Sequence, residues 1–283
     1  MIIANIFLCL GTCDTCYEID TLRRSSPDME TQDQLKRAHH LHRGGLFNLE
    51  RLRYKARCAE AIASNNLLHP TIMSLILDGM DQNHCRVPYL GGLNRFSHPV
   101  TQHITGIDVL FYCWFQCINI IFTGIKEHGI GLTIYRNFDN VSKGCNVTIY
   151  CFLRQLESFH KRHGCYPETL YLQVDGGSEN ANQYVLALLE LLVVKRCCRE
   201  VYYTRLPAGH THEDIDASFG VLWSCFRSVS CTTIQGYKAM IEEGFRASCL
   251  HAVMEDIYAV PDYSSLLGPC IIEGNYNLFR SCY

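Results

Sequence analysis

The chain has 283 residues, 48% of them hydrophobic, enough for a buried core in one large domain or two small ones and too many for a disordered chain. A formal charge of −3 neither demands nor excludes a nucleic-acid partner. The 17 cysteines lie scattered through apolar runs without the regular spacing of a small secreted scaffold, so they read as reduced, buried and intracellular.

The first ten residues, MIIANIFLCL, are apolar but lack the basic flank of a signal peptide. The sequons Asn140-Val-Ser and Asn146-Val-Thr are weak signals on their own, and the chain is expected not to be secreted. CLGTCDTC follows, then KRAHHLHRGGLFNLERLRYKAR at residues 36 to 57, with seven Lys/Arg and three His against one Glu. That stretch reads either as a solvated helical face or as a region of contacts to nucleic-acid phosphates, each of which releases counterions when neutralised. Residues 1–65 are therefore expected to form a separate helical leader containing Cys and His. Cys9, Cys13 and Cys16 with His39, His40 or His42 offer thiolates and imidazoles for half of a structural zinc site, though not with the spacing of a compact finger. Ordinary cysteines beside an exposed basic helix are the plainer reading.

From residue 70 the periodicity changes. TIMSLILDGMD reads as a strand ending in acids. QHITGIDVL, CINIIFTGI and GLTIY read as further strands, with EHGIG marking a turn. VLFYCWFQCINIIFTGI, residues 109 to 125, carries no charge, yet its Gln116, Asn119 and Thr123 and its β-branched and aromatic content suit buried strands better than a membrane span. NVTIYCFLRQLESFHKRHG is a helix stopped by a basic turn and a glycine. ETLYLQV is a strand, and ANQYVLALLELLVVKRC a helix with Asn180 and Asn182 as N-terminal caps. EVYYTRLP is a short strand. EDIDASFGVLWSCFRS is helical with Ile215, Phe219, Leu222 and Phe226 along one stripe, and TIQGYKAMIEEGFRA is a final helix before a C-terminal tail over residues 251–283.

This order predicts an α/β domain over residues 70–250, a mixed sheet flanked by helices. Ligands in such sheets collect at the carboxyl ends of strands. Asp78 closes the first strand, Asp175 closes the strand LYLQV, and GHTHEDID leads into the helix after the last strand with Glu213, Asp214 and Asp216. Clustered carboxylates repel one another unless a cation neutralises them, and hard oxygen ligands suit Mg²⁺ or Mn²⁺. Two such ions activate a water or 3′-hydroxyl and stabilise the leaving oxygen in phosphoryl transfer. Gly176 and Gly177 would leave the space above Asp175 open. For any one acid alone, a helix cap or loop position is the plainer reading; the order of all three argues for a site. Asp81, just past the first strand, is a candidate hydrogen-bond partner of that site.

DGGSEN after an apolar strand resembles the D-N-G-S-E-F signature of retroviral-type integrases and transposases with a ribonuclease-H-like fold. LDGMDQ upstream and PAGHTHEDIDASF downstream resemble an integrase-like domain abundant in transposon-rich eukaryotic genomes, and the leader with its CDTC and basic helix is similar to the segment preceding that domain. The resemblance covers roughly residues 70 to 250. It implies a ribonuclease-H-like mixed five-stranded sheet and DDE-type strand cleavage and transfer on DNA with two Mg²⁺ or Mn²⁺ ions. Asp78 would be shared between the metals and Asp175 would bind one. Asp216 is the favoured third acid and Glu213 its competitor, nearer the integrase spacing. Gly176 stands where the signature has Asn, and Asn180 where it has Phe.

His210 and His212 admit two functional readings. HTHED resembles the H-x-H-x-D-H pattern of dinuclear zinc hydrolases, with Ile215 in place of the closing His, which would make His210, His212 and Asp214 zinc ligands. Within the integrase-like reading, His212 lies one turn before Asp216 and would orient it or touch a scissile phosphate. Polar loop residues fixing the helix start are the bland alternative. The same fold without chemistry, a degenerate or domesticated DNA-binding protein, is the main rival to catalysis. DNA is the expected partner, with a homo-oligomer compatible and no membrane. A nuclear location follows from a DNA substrate.

Overall fold

The computed structural model describes residues 14–79, 86–87, 118–119, 121–137, 141, 144–174, 177, 179–180, 182–205, 214–226, 233–247 and 252–271. Six strands make one sheet: β1 (Ile72–Gly79), β4 (Ile121–Glu127), β5 (Gly131–Asn137), β6 (Thr169–Val174), β7 (Glu200–Arg205) and β8 (Ala252–Ile257), in the order β7-β6-β1-β4-β5-β8. Two short strands, β2 (Arg86–Val87) and β3 (Ile118–Asn119), pair with each other apart from it. β1 runs antiparallel to β4, and β4 to β5 through the turn at His128–Ile130. The pairs β1–β6, β6–β7 and β5–β8 are parallel. The architecture is α/β with a mixed six-stranded sheet flanked by helices, one strand more than expected. The segment QHITGIDVL, read as a strand, lies outside the described residues.

The helices are α1 (Asp14–Ser25), α2 (Met29–Leu41), α3 (Asn48–Asn65), α4 (Cys145–His163), α5 (Gln183–Val194), α6 (Asp214–Phe226), α7 (Ile234–Ala247) and the short α8 (Tyr263–Leu267). Their ends follow capping chemistry. Asn182 caps α5 by accepting from the N–H groups of Tyr184 and Val185 at 3.0 and 3.1 Å. Gly164 ends α4 at φ +75°, a left-handed conformation in which its N–H reaches His160 O at 2.8 Å.

Strand alternation sorts the side chains into two layers. Met73, Leu75 and Leu77 of β1 face α4 and α5, where they join Ile125, Leu170, Leu172, Val174, Phe152, Leu156, Phe159, Leu188 and Leu192 in the main core. Burial of each such side chain contributes about 1.5–3 kcal/mol, so this face supplies most of the cohesion. Ser74, Ile76 and Asp78 face the opposite way, toward α3 and α6.

The last helix of the basic segment is part of this packing. Tyr54, Ala61 and Ser64 of α3 are buried, and Ser64 Oγ accepts from the N–H groups of Thr71 and Ile72 at 2.9 and 3.1 Å. Asn65 Nδ2 donates to His128 O in the β4–β5 turn at 2.9 Å. The sheet also continues beyond residue 250, because β8 pairs with β5 along its whole length. Its acids escaped notice as strand residues since their partners are distant in sequence: Asp256 binds the buried Arg136 of β5 at 2.5 Å, and Glu255 meets Arg154 of α4 at 3.3 Å. No helix among the described residues is long and apolar enough to cross a membrane.

Candidate functional site

Asp78 stands where the apolar run of β1 gives out. It is half-buried, and its Oδ1 accepts from the Gly79 N–H at 2.7 Å. On one side β1 pairs in parallel with β6, Leu77 opposite Val174. The residue that follows each of them in sequence is an acid, Asp78 in β1 and Asp175 after the end of β6, and Asp175 lies outside the described residues. On the other side Asp78 pairs with Gly124 of β4.

Gly124 explains how α6 comes so close. A Cβ there would lie 2.6 Å from Phe219 Cζ and 3.5 Å from Ile215 Cδ1, so the absence of a side chain lets this helix rest directly on the strand next to Asp78. Ile215 and Ser218 are buried in that contact and Asp216 is half-buried beside them. The predicted stripe of Ile215 and Phe219 does face the sheet.

The start of α6 is fixed by a polar cluster that sequence reasoning missed. Tyr54 of α3 donates its hydroxyl hydrogen to Asp214 Oδ1. His128 Nε2 lies 3.2 Å from Asp214 Oδ2 and 2.9 Å from Tyr54 Oη. His128 Nδ1 lies 3.0 Å from both Ser74 O and Ser74 Oγ. Lys126 Nζ sits 2.9 Å from Asp214 Oδ2 and donates to Asp214 O at 3.3 Å.

The electrostatics follow from these contacts. Burial by itself would lower the His128 pKa, but hydrogen bonding to Asp214 and the Cys58 sulfur outweighs it and the value is pushed up to about 9. Burial likewise opposes charge on Asp214, yet hydrogen bonds from His128, Tyr54 and Lys126 hold its carboxyl well below the usual carboxylate range. His128 is thus an imidazolium at neutral pH and both of its N–H groups donate, Nδ1 to Ser74 and Nε2 toward Asp214 and Tyr54. Although Ser74, His128 and Asp214 line up as a serine–histidine–aspartate relay would, Ser74 is 2% and His128 4% exposed, so the arrangement is an anchor without room for a substrate.

Lys126 stands two residues before the β4–β5 turn and Gly124 two residues before that. α6 therefore runs from Lys126, where Asp214 is tied, toward Gly124 and the Asp78 end of β1, carrying Asp216 along the face. Asp214 is committed to this anchor on both carboxylate oxygens. His210 and His212, read with it as zinc ligands, lie outside the described residues together with Glu213 and Asp81.

Asn180 is buried, 3% exposed, and is an anchor of the loop after β6 where a helix cap was expected. Thr148 Oγ1 of α4 donates to its Oδ1 at 2.8 Å, Tyr203 Oη of β7 donates to its backbone oxygen at 3.1 Å, and its own N–H reaches Gly177 O at 3.0 Å. Of the cysteines read as possible zinc ligands, Cys16 is buried, while Cys9 and Cys13 lie outside the described residues. Among the described residues no group of three or more His, Cys, Asp or Glu is arranged to hold a metal ion.

A family model, described as a domain of unknown function (DUF7869), matches residues 115–279. The chain belongs to this family. The family match takes in β4 to β8, with Asp175 and Asp216, and begins after β1 and Asp78. No curated protein matches the chain. Among solved structures, a Mos1 transposase paired-end complex with left transposon end is similar at 13% identity and a TM-score of 0.38, covering 82% of this chain and 71% of that one. The Mos1 strand transfer complex is similar at 12% identity and a TM-score of 0.37, covering 82% and 70%. Likeness at this level carries no weight for function.

Proposed function

We propose that the chain is a DDE-type, transposase- or integrase-like protein that cleaves and transfers DNA strands, built on a ribonuclease-H-like sheet. The supporting observation is the register of β1 against β6. Leu77 pairs with Val174 at the carboxyl ends of two central parallel strands, and the residues that follow them in sequence are the acids Asp78 and Asp175. The strand order, with an antiparallel β1-β4-β5 meander on one side of β1 and parallel β6 and β7 on the other, is compatible with that fold. α6, the helix that carries Asp216, packs Ile215 and Phe219 over Gly124, the strand partner of Asp78.

Carboxylates are hard oxygen donors of the kind that suit Mg²⁺ or Mn²⁺. Asp78, Asp175 and Asp216 would hold two such ions, with Glu213 the alternative to Asp216, and the bound ions would supply charge neutralisation and an activated water or 3′-hydroxyl for phosphoryl transfer. The protein's own part is positional. Asn180 braces the loop that follows Asp175 against α4 and β7, and the Asp214 anchor sets the height of α6 above the sheet. His212, one turn before Asp216, would orient it. DNA is the proposed partner and the nucleus the proposed location.

A supercoiled plasmid and a labelled duplex, incubated with the full chain and Mg²⁺ or Mn²⁺, test this directly. Nicking or strand transfer is expected with either metal, and Asp175→Asn should lower it by about a hundredfold or more, as loss of a preorganised charge at a reacting centre does. Equal activity in the substituted protein removes the metal assignment. Duplex binding with no cleavage under any metal favours the non-catalytic form of the same fold.

A further inference from the structure

Far from Asp78 in sequence, the first two helices and the turn that follows them enclose an open, polar cleft of about 400 Å³ lined by Arg23, Lys36, His39, His40, Gly44 and Asn48. Four of these six side chains are basic and none is acidic. We infer that this cleft is a docking site for the phosphodiester backbone of DNA. The inference rests on the reading of the chain as a DNA-handling protein and adds to it where the strand is held.

Two independent features point the same way. The first is charge placement. His39 and His40 occupy the last turn of α2, where the helix dipole favours cations. Lys36 and Arg23 are held in place by Asp33 at 2.9 Å and Asp20 at 3.1 Å, aspartates three residues earlier on their own helices, and neither aspartate lines the cleft. Exposed pairs of this kind are weak, so a phosphate oxygen competes for the same N–H groups. The second feature is the backbone. Residues His42–Phe47 form a π-helical turn, a rare local structure that occurs frequently at functional sites. That turn brings Gly44 beneath the His40 ring, where an added Cβ would lie 3.7 Å from the ring atoms and stand in the cleft. The shape also discriminates between ligands. An open polar groove suits a chain of phosphates passing through it, whereas small-molecule sites are enclosed and mostly apolar.

Fluorescence anisotropy of a labelled duplex of arbitrary sequence, titrated with the full chain across a series of salt concentrations, reads out the site. The double substitution Arg23→Ala with Lys36→Ala should weaken binding on the order of tenfold at low salt and make the salt slope shallower by about 2. Lys36→Glu should weaken it further, and unchanged thermal melting identifies variants that remain folded. If the unsubstituted chain binds and the folded variants bind equally, with the same slope, the cleft is not the site while the DNA reading survives. If inorganic phosphate binds but the duplex does not, or nothing binds, the inference is overturned. Metal-dependent nicking by the Asp175→Asn pair judges the proposed function separately, since that residue is no part of the cleft.

Discussion

Asp214 shows how one carboxylate can set the position of a whole helix. Tyr54, Lys126 and His128 come from a helix, a strand and a turn, and their hydrogen bonds converge on its two oxygens. Removing Asp214 leaves the buried His128 and Tyr54 without their acceptor, so Asp214→Ala should cost about 1–3 kcal/mol, measured as a lowered denaturant midpoint. The same cluster fixes the pH behaviour. His128 has a folded pKa raised above its unfolded value, so its contribution to stability is complete below the unfolded pKa of about 6.5 and is lost as pH rises through about 9. Asp214 has a depressed value, so its contribution is present above the ordinary carboxylate range and is lost on strong acidification. Thermal melts should therefore fall between pH 7 and pH 10, and His128→Leu should flatten that part of the profile. A melting temperature that holds across this window in the unsubstituted chain would contradict the assignment of charge to His128.

At the scale of elements, α6 depends on an empty space. Gly124→Val would drive a side chain into Phe219, at a cost of about 1–3 kcal/mol in overpacking, and would lift the helix that carries Asp216. Under the proposed function, nicking should fall by more than the loss of folded protein explains, which circular dichroism and activity measured on one sample can separate. Elements of this kind were legible where local chemistry decides them. An apolar run closed by Asp78, the glycine-containing turn after Glu127, the basic stop at Gly164 and the Asn182 cap all announce themselves within a few residues. What escaped notice depends on distance. His128 and Asp214 are 86 positions apart, and each alone looks like an ordinary turn or helix-start residue. Asn180 has the sequence look of a cap and becomes an anchor only because Thr148 and Tyr203 reach it. β8 was hidden because Glu255 and Asp256 interrupt its apolar pattern, and it is the distant Arg136 and Arg154 that neutralise them there.

For the molecule as a whole, β8 completes the sheet at its β5 edge, and Arg136 shows what that edge requires. This guanidinium is 2% exposed and binds Asp256 through Nε at 2.6 Å and Nη2 at 2.5 Å. A chain ending at residue 250 would keep the buried charge and lose its counter-ion together with the ladder to β5. Such a truncation should unfold at markedly lower denaturant, by about 3–5 kcal/mol from the charge alone, and a peptide of residues 251–271 added in excess should recover part of the loss.

β1 is the middle of the ladder, with β6 on one flank and β4 on the other, yet it lies ahead of the stretch that defines the family. Anyone who clones the family boundaries alone will have cut out the keystone. The two halves of the sheet would then share no common strand, and an inert product from that fragment would say nothing about the whole chain.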